Sequence, residues 1–168
     1  MKVILRQWNE GDIELLAKLA NNKNIADNMR DRFPDPYTLK DAKEWIALNN
    51  KRDPATNFAI EVDGELAGGC GMMLLKDVYR HSAEVGYWIA EPFWGKGVAT
   101  EAIKLLLEKI NKNFPPIIRV YAEIFEYNKA SMRVLEKNGF HLESIRQKAV
   151  TKNNVIIDDH VWVKLIHN

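Results

Sequence analysis

At 168 residues, with 46% hydrophobic and 28% charged content, the chain is long enough for one hydrophobic core and short for two, so a single domain over residues 1–168 is expected. Lysine plus arginine number 24 against 23 aspartate plus glutamate, a balance that sets up no global attraction to nucleic acid or anionic lipid. No apolar run approaches the roughly 20 residues of a bilayer span, and the start MKVILRQWNEGD turns polar too early for a signal peptide; a cytoplasmic location follows by default.

VILRQW reads as an opening strand. DIELLAKLAN follows as a helix, with Ile13, Leu16 and Ala20 at helical spacing and Leu15 and Leu19 widening the stripe. NNKNIADNMRDRFPDPY has two prolines and no sustained period, which predicts a surface loop able to line a site. TLKDAKEWIALNN opens a second helix with a Thr38/Asp41 capping box and sets Ala42, Trp45 and Ile46 on one face. In NFAIEVDGELAGGCGMMLL two strands flank Asp63-Gly64, the dipeptide of a tight type I′ hairpin. Its Cys70 has no second thiol to bridge and no CxxC spacing; its Gly and Leu neighbours make it a small residue filling a strand. AEVGYWIA is a further strand, with Glu84, Gly86 and Trp88 on one face and Val85, Tyr87 and Ile89 on the other. Ala99, Ile103, Leu106, Leu107 and Ile110 then form an apolar helical stripe opposite Lys104, Glu108 and Lys112. PPIIRVYAEIF is a strand, NKASMRVLEKNGF a helix closed by Gly139 in a left-handed cap, and AVTKNNVIIDDHVWVKL two strands about an Asn-Asn turn. The order β-α-α-β-β-β-α-β-α-β-β indicates a mixed α/β sheet.

Between the AEVGYWIA strand and the long helix stands EPFWGKGVATEA. The first turn of a helix leaves backbone N–H groups without internal partners, all pointing one way along the dipole, which makes an anion site. Glycine at 95 and 97 lets phosphate oxygens approach the main chain, and Ala99 keeps the next turn narrow. A diphosphate fits such an entrance; glycines that merely turn the chain are the alternative. The P-loop pattern GxxxxGK[ST] is absent, and GKGVAT lacks the third glycine of a dinucleotide fingerprint and does not follow the first strand of the chain.

WGKGVATEA, preceded by AEVGYWIA and followed by NKASMRVLEKNGF, resembles the GNAT superfamily of acetyl-CoA-dependent N-acetyltransferases. ILRQW, RFPDPYTLKDAKEWI and the Asp159-His160 strand bring the likeness closest to the branch of ribosomal-protein N-terminal acetyltransferases. The resemblance implies a mixed, mostly antiparallel sheet with a splayed central strand pair, flanked by helices on both faces. The family's pyrophosphate loop, Q/R-x-x-G-x-G/A, falls on Pro92 to Gly97, with Pro92 in place of Gln or Arg. Because Pro92 has no N–H of its own, the likeness puts acetyl-CoA on the main chain of Gly95, Lys96, Gly97, Val98, Ala99 and Thr100. It also implies a pantetheine arm paired like an added strand with Tyr87, Trp88 and Ile89, and an orienting role for Asn128.

Amine attack on a thioester needs a neutral amine, a place for the developing oxyanion and a proton for the leaving sulfur. The resemblance assigns the base to Glu84, whose other reading is a solvent-facing strand glutamate. Many members carry a proton-donating Tyr seven residues after the Asn of the last helix; here that position is Leu135, which has no proton to give. Ser131, three residues after Asn128 and on the same helix face, matches the branch's serine acid, with a surface serine as its other reading. Loop residues 21–37, including Asn28, Arg30, Arg32 and Phe33, should shape the acceptor pocket, and Asp27, Asp31 and Asp35 would suit a cationic acceptor only if they face inward. No individual role falls to Lys129, Arg133 or Lys137. His81 and His160 lack metal-ligand spacing and no metal is implied; Trp8, Trp45, Trp88, Trp94 and Trp162 read as core or rim, not as a nucleic-acid surface. The expected partners are acetyl-CoA and an amine acceptor, either a protein N-terminus or a small molecule such as a polyamine or antibiotic. The rival is a non-catalytic acyl-CoA-binding sensor, and monomer or homodimer stays open.

Overall fold

The structure, a computed structural model, describes residues 1–166. The strands are β1 (Val3–Arg6), β2 (Asn57–Val62), β3 (Glu65–Leu74), β4 (Ser82–Ile89), β5 (Arg119–Phe125), β6 (His141–Lys152) and β7 (Val155–Leu165); the helices are α1 (Ile13–Ala20), α2 (Lys23–Ala26), α3 (Leu39–Asn49), α4 (Val98–Asn113) and α5 (Lys129–Lys137). The fold is mixed α/β with a seven-stranded sheet in the order β1-β2-β3-β4-β5-β7-β6. Its pairings are antiparallel for β1 with β2, β2 with β3, β5 with β7 and β6 with β7, and parallel for β4 with β5. The chain gathers into two compact units, Met1–Gly71 with Tyr87–Ala102, and Met72–Gly86 with the residues from Ile103 onward.

In the first unit, α1 and α3 close over a core of Trp8, Leu16, Ala17, Ala20, Tyr37, Ala42, Ile46, Ala59 and Leu66. Leu16 and Ile46 are fully buried, so trimming either to alanine costs about 2–5 kcal/mol. Leu15, expected within the stripe, is 40% exposed, and Ala17 takes the buried place. The buried face of this short helix therefore runs through Leu16, Ala17 and Ala20. Thr38 opens α3 as expected: its hydroxyl accepts from the Asp41 amide at 3.3 Å, and the Asp41 carboxylate accepts from the Thr38 amide at 2.8 Å. Arg6 ties the start of the unit together, holding Asp12 with two bonds of 2.8 Å and Glu61 with one of 2.6 Å. Burial pushes the Asp12 carboxyl up, but Arg6 and the Asn9 amide outweigh it and hold it below its ordinary value. The Asp63-Gly64 hairpin forms as expected, with φ of 50° and 91°. The segment predicted as plain loop contains α2, because the Asn22 side chain accepts from the Asn24 amide at 2.9 Å and caps a turn too short to show a period.

In the second unit, Ile103, Leu106 and Ile110 of α4 are fully buried, as are Val120, Leu135 and Val163. The last hairpin turns at Asn153 and Asn154, both with positive φ. Strand β6 starts at His141, well before the expected Ala149, and is exposed along most of its length. It lies at the end of the strand order, so HLESIRQK carries no alternation of hydrophobicity that would reveal a strand. A register shift between Arg146 and Val150 accompanies a positive φ at Lys148, whose amide donates to Asp158 at 2.8 Å; such a bulge blunts an edge strand.

Candidate active site

The end of β4 and the turn after it are held by a short chain of bonds, all in the first unit. The Ala90 amide donates to the Ala67 carbonyl at 2.8 Å. Trp88 turns its carbonyl the same way, so close to β3 that a Cβ on Gly68 would lie 2.2 Å from that oxygen. Alternate residues of a strand send their backbone groups to opposite edges, which directs Tyr87 and Ile89 away from β3. The Ile89 carbonyl accepts from the Trp94 indole at 2.7 Å. Residues Glu91–Phe93 make one 3-10 turn with Pro92 in its opening positions, where a missing N–H is tolerated.

Gly95 and Gly97 adopt φ of 72° and 78°, the left-handed region that costs any side-chain-bearing residue. A Cβ on either would meet no heavy atom within 4 Å, so packing does not demand glycine there; the backbone conformation does. The Glu101 amide donates to the Gly97 carbonyl at 3.1 Å and starts α4. Lys96 folds over its own loop, its Nζ 2.8 Å from the Pro92 carbonyl and 5.7 Å from the centre of the Phe93 ring. Val98 is buried, while Ala99 and Thr100 are half-buried.

The loop that sequence reasoning linked to the acceptor stands on this same segment. Asn22 donates to Glu91 at 2.6 Å, Asn28 is exposed and donates to the Asn24 carbonyl at 2.9 Å, and the Phe33 amide donates to the Arg30 carbonyl at 2.9 Å. Arg32 is exposed. Phe33 is half-buried, its ring 5.3 Å from that of Tyr37 and 6.2 Å, edge-on, from that of Trp88. Burial, assisted by Asp41, pushes the Tyr37 hydroxyl up to about 12, which keeps it protonated and out of any base role near neutral pH. Neither the Glu91 tether nor the Trp94 bond was legible beforehand, since each joins residues by geometry that no motif spacing encodes.

The remaining candidates belong to the second unit. Glu84, half-buried, pairs with Tyr121 at the end of the parallel β4–β5 register, which begins at Ser82 with Arg119. Gly86, two residues on, is exposed with open space around it. Asn128 caps α5, its side-chain oxygen accepting from the Ser131 amide at 3.2 Å, so that oxygen is engaged. Ser131 is half-buried one turn into the helix. Leu135 is fully buried, so core packing claims the position for which the resemblance implied a tyrosine. Arg133 bonds to Glu136 at 3.1 Å. Arg146, itself exposed, joins half-buried Glu123 at 2.6 Å and also reaches buried Asp159, a triad that the sequence reading missed because its members come from three strands.

Comparison with known proteins agrees with this architecture. Residues 2–141 match the family model described as acetyltransferase (GNAT) domain. The chain is 32% identical over 141 residues to the probable N-acetyltransferase YjcK of Bacillus subtilis (strain 168), which covers 81% of this chain and 77% of that protein. It is 27% identical over 147 residues to the spermidine N(1)-acetyltransferase of Escherichia coli (strain K12), covering 84% and 74%. Among solved structures it is similar to RimL, the ribosomal L7/L12 alpha-N-protein acetyltransferase in complex with coenzyme A, with a TM-score of 0.86, 21% identity and coverage of 99% and 95%.

Proposed function

The chain belongs to the acetyltransferase (GNAT) domain family and is an acyltransferase, and from that premise we propose that it moves the acetyl group of acetyl-CoA directly onto a primary amine. The observation that carries this reading is the turn at Gly95 and Gly97, held at positive φ with open space where side chains would stand. The diphosphate lies against the amides from Gly95 to Thr100, where the helix dipole adds to the hydrogen bonds. The pantetheine pairs with β4 through the backbone of Tyr87 and Ile89, while Trp88, its carbonyl turned to β3, supports the strand with its ring. Asn128 steadies the donor through its Nδ2 group. Lys96 contributes its amide, with its charge folded onto the Pro92 carbonyl.

In the reaction the amine nitrogen attacks the thioester carbonyl carbon, Glu84 accepts the ammonium proton directly or through water, and the C–S bond then breaks as Ser131 hands a proton to the sulfur. No acyl-enzyme forms. The acceptor is an exposed protein α-amino group, whose ordinary pKa of about 7.7–8.0 leaves far more neutral amine at pH 7 than a lysine near 10.4; a carboxylate base then suffices. Asn28, Arg30, Arg32 and Phe33 line its approach. A small polyamine is the second reading, favoured by the similarity to the spermidine enzyme.

The test is thiol release from acetyl-CoA with a panel of N-terminal peptides and small amines. Release with an α-amino peptide above all other acceptors supports the first reading, and release with polyamines alone supports the second. Tight coenzyme A binding without release from any acceptor would establish the sensor instead. Glu84→Gln should lower turnover about 10²-fold with coenzyme A affinity unchanged; equal activity from pH 6 to 9 would remove Glu84 from the mechanism.

A further inference from the structure

Two contacts join the loop after α1 to the stretch that carries the donor, and they sit at opposite ends of the loop. At one end, Asn22 uses both halves of its amide: the oxygen caps α2 by accepting from the Asn24 amide at 2.9 Å, and this leaves Nδ2 to donate to Glu91 at 2.6 Å. Asn24 adds a longer bond to the same carboxylate oxygen at 3.4 Å. At the other end, the Phe33 ring meets the Trp88 ring edge-on at 6.2 Å, and Tyr37 braces Phe33 from behind at 5.3 Å. Ile25 and Ala26 between them are buried, which stiffens the span. Glu91 and Trp88 lie on either side of Ile89 and Ala90, immediately before the glycine turn.

We propose that residues 22–33 form an arch with its feet on Glu91 and Trp88, so that donor binding orders the acceptor wall, and that Glu91 is a positioning residue for the acceptor. The inference rests on the reading of residues 87–100 as the donor site. A donor that settles on the 95–100 amides and along β4 restrains both feet at once, and the arch loses freedom it would otherwise spend when the amine arrives. Coupling of this kind is reciprocal: whatever factor the donor adds to acceptor affinity, the acceptor adds to donor affinity.

Hydrogen exchange on the full chain, with and without coenzyme A, tests this before any acceptor is known. In the wild-type protein coenzyme A should slow exchange across residues 22–33 about five-fold, the worth of one surface hydrogen bond. Glu91→Ala should bind coenzyme A within about two-fold of wild type yet lose that slowing. Asn22→Asp keeps the α2 cap but sets an oxygen against Glu91, and should uncouple the arch as well. Combining Asn22→Asp with Glu91→Gln restores a bond of reversed polarity and should restore the slowing, which a purely structural lesion would not allow. If residues 95–100 respond to coenzyme A while 22–33 stay silent, or if Glu91→Ala transmits the slowing undiminished, the arch falls and the donor site stands. If nothing in the chain responds to coenzyme A, both fall.

Discussion

Glycines 68, 69 and 71 in β3 and glycines 95 and 97 before α4 look alike on paper, clustered small residues beside a strand, yet they exist for opposite reasons. In β3 a Cβ would stand 2.2 Å from the Trp88 carbonyl at position 68, 2.9 Å from both the Trp8 and Trp88 rings at 69, and 2.0 Å from the Asn57 side chain at 71. These glycines are required by what the protein itself brings close. At 95 and 97 nothing among the described residues comes within 4 Å of such a Cβ, and the constraint is the positive φ itself. The lesson is that a glycine-rich stretch marks a binding loop only where the glycines face space; where they face backbone, they mark packing.

The contrast breaks most sharply at Gly68. Gly68→Ala forces the new methyl into a backbone oxygen that cannot rotate aside, and should lower stability by about 3 kcal/mol in urea unfolding; a loss under about 1 kcal/mol would mean that β3 tolerates side chains and the distinction is false. Gly97→Ala should do the reverse. It costs about 1 kcal/mol of stability for the left-handed conformation, but at least about ten-fold in coenzyme A affinity by calorimetry, because the methyl enters the space read as the diphosphate's; unchanged affinity would return that turn to a purely structural role. The smallest effect sharpens the boundary between the two stretches. Trp94→Phe deletes the indole bond to the Ile89 carbonyl and should lower stability by about 1 kcal/mol at most, while weakening coenzyme A by no more than about five-fold.

Much of the fold was legible because its rules are local. Asp63-Gly64 and Asn153-Asn154 turn where the dipeptides prescribe, Thr38 with Asp41 opens α3, Gly139 follows α5 at positive φ, and Ile103, Leu106, Leu107 and Ile110 of the α4 stripe are buried where their spacing put them. The candidate site was legible in part, for the same reason: the strand, the glycine turn and the helix follow one another in sequence. What escaped was long in range or exceptional in pattern. Helix α2 is too short to leave a period, β6 is exposed on most of its length and therefore has no alternation to read, and Leu15 faces outward while Ala17 is buried.

By itself, then, the amino-acid order determined the succession of elements, their caps and turns, and the backbone freedom at Gly95 and Gly97, since each depends on residues within a few positions of one another. Only the tertiary structure decided that the β3 glycines serve close packing, that Leu135 belongs to the core, and that Asn22 and Phe33 rest on Glu91 and Trp88. Those facts turn on distances between residues far apart in the chain, and such distances exist only once the chain has folded.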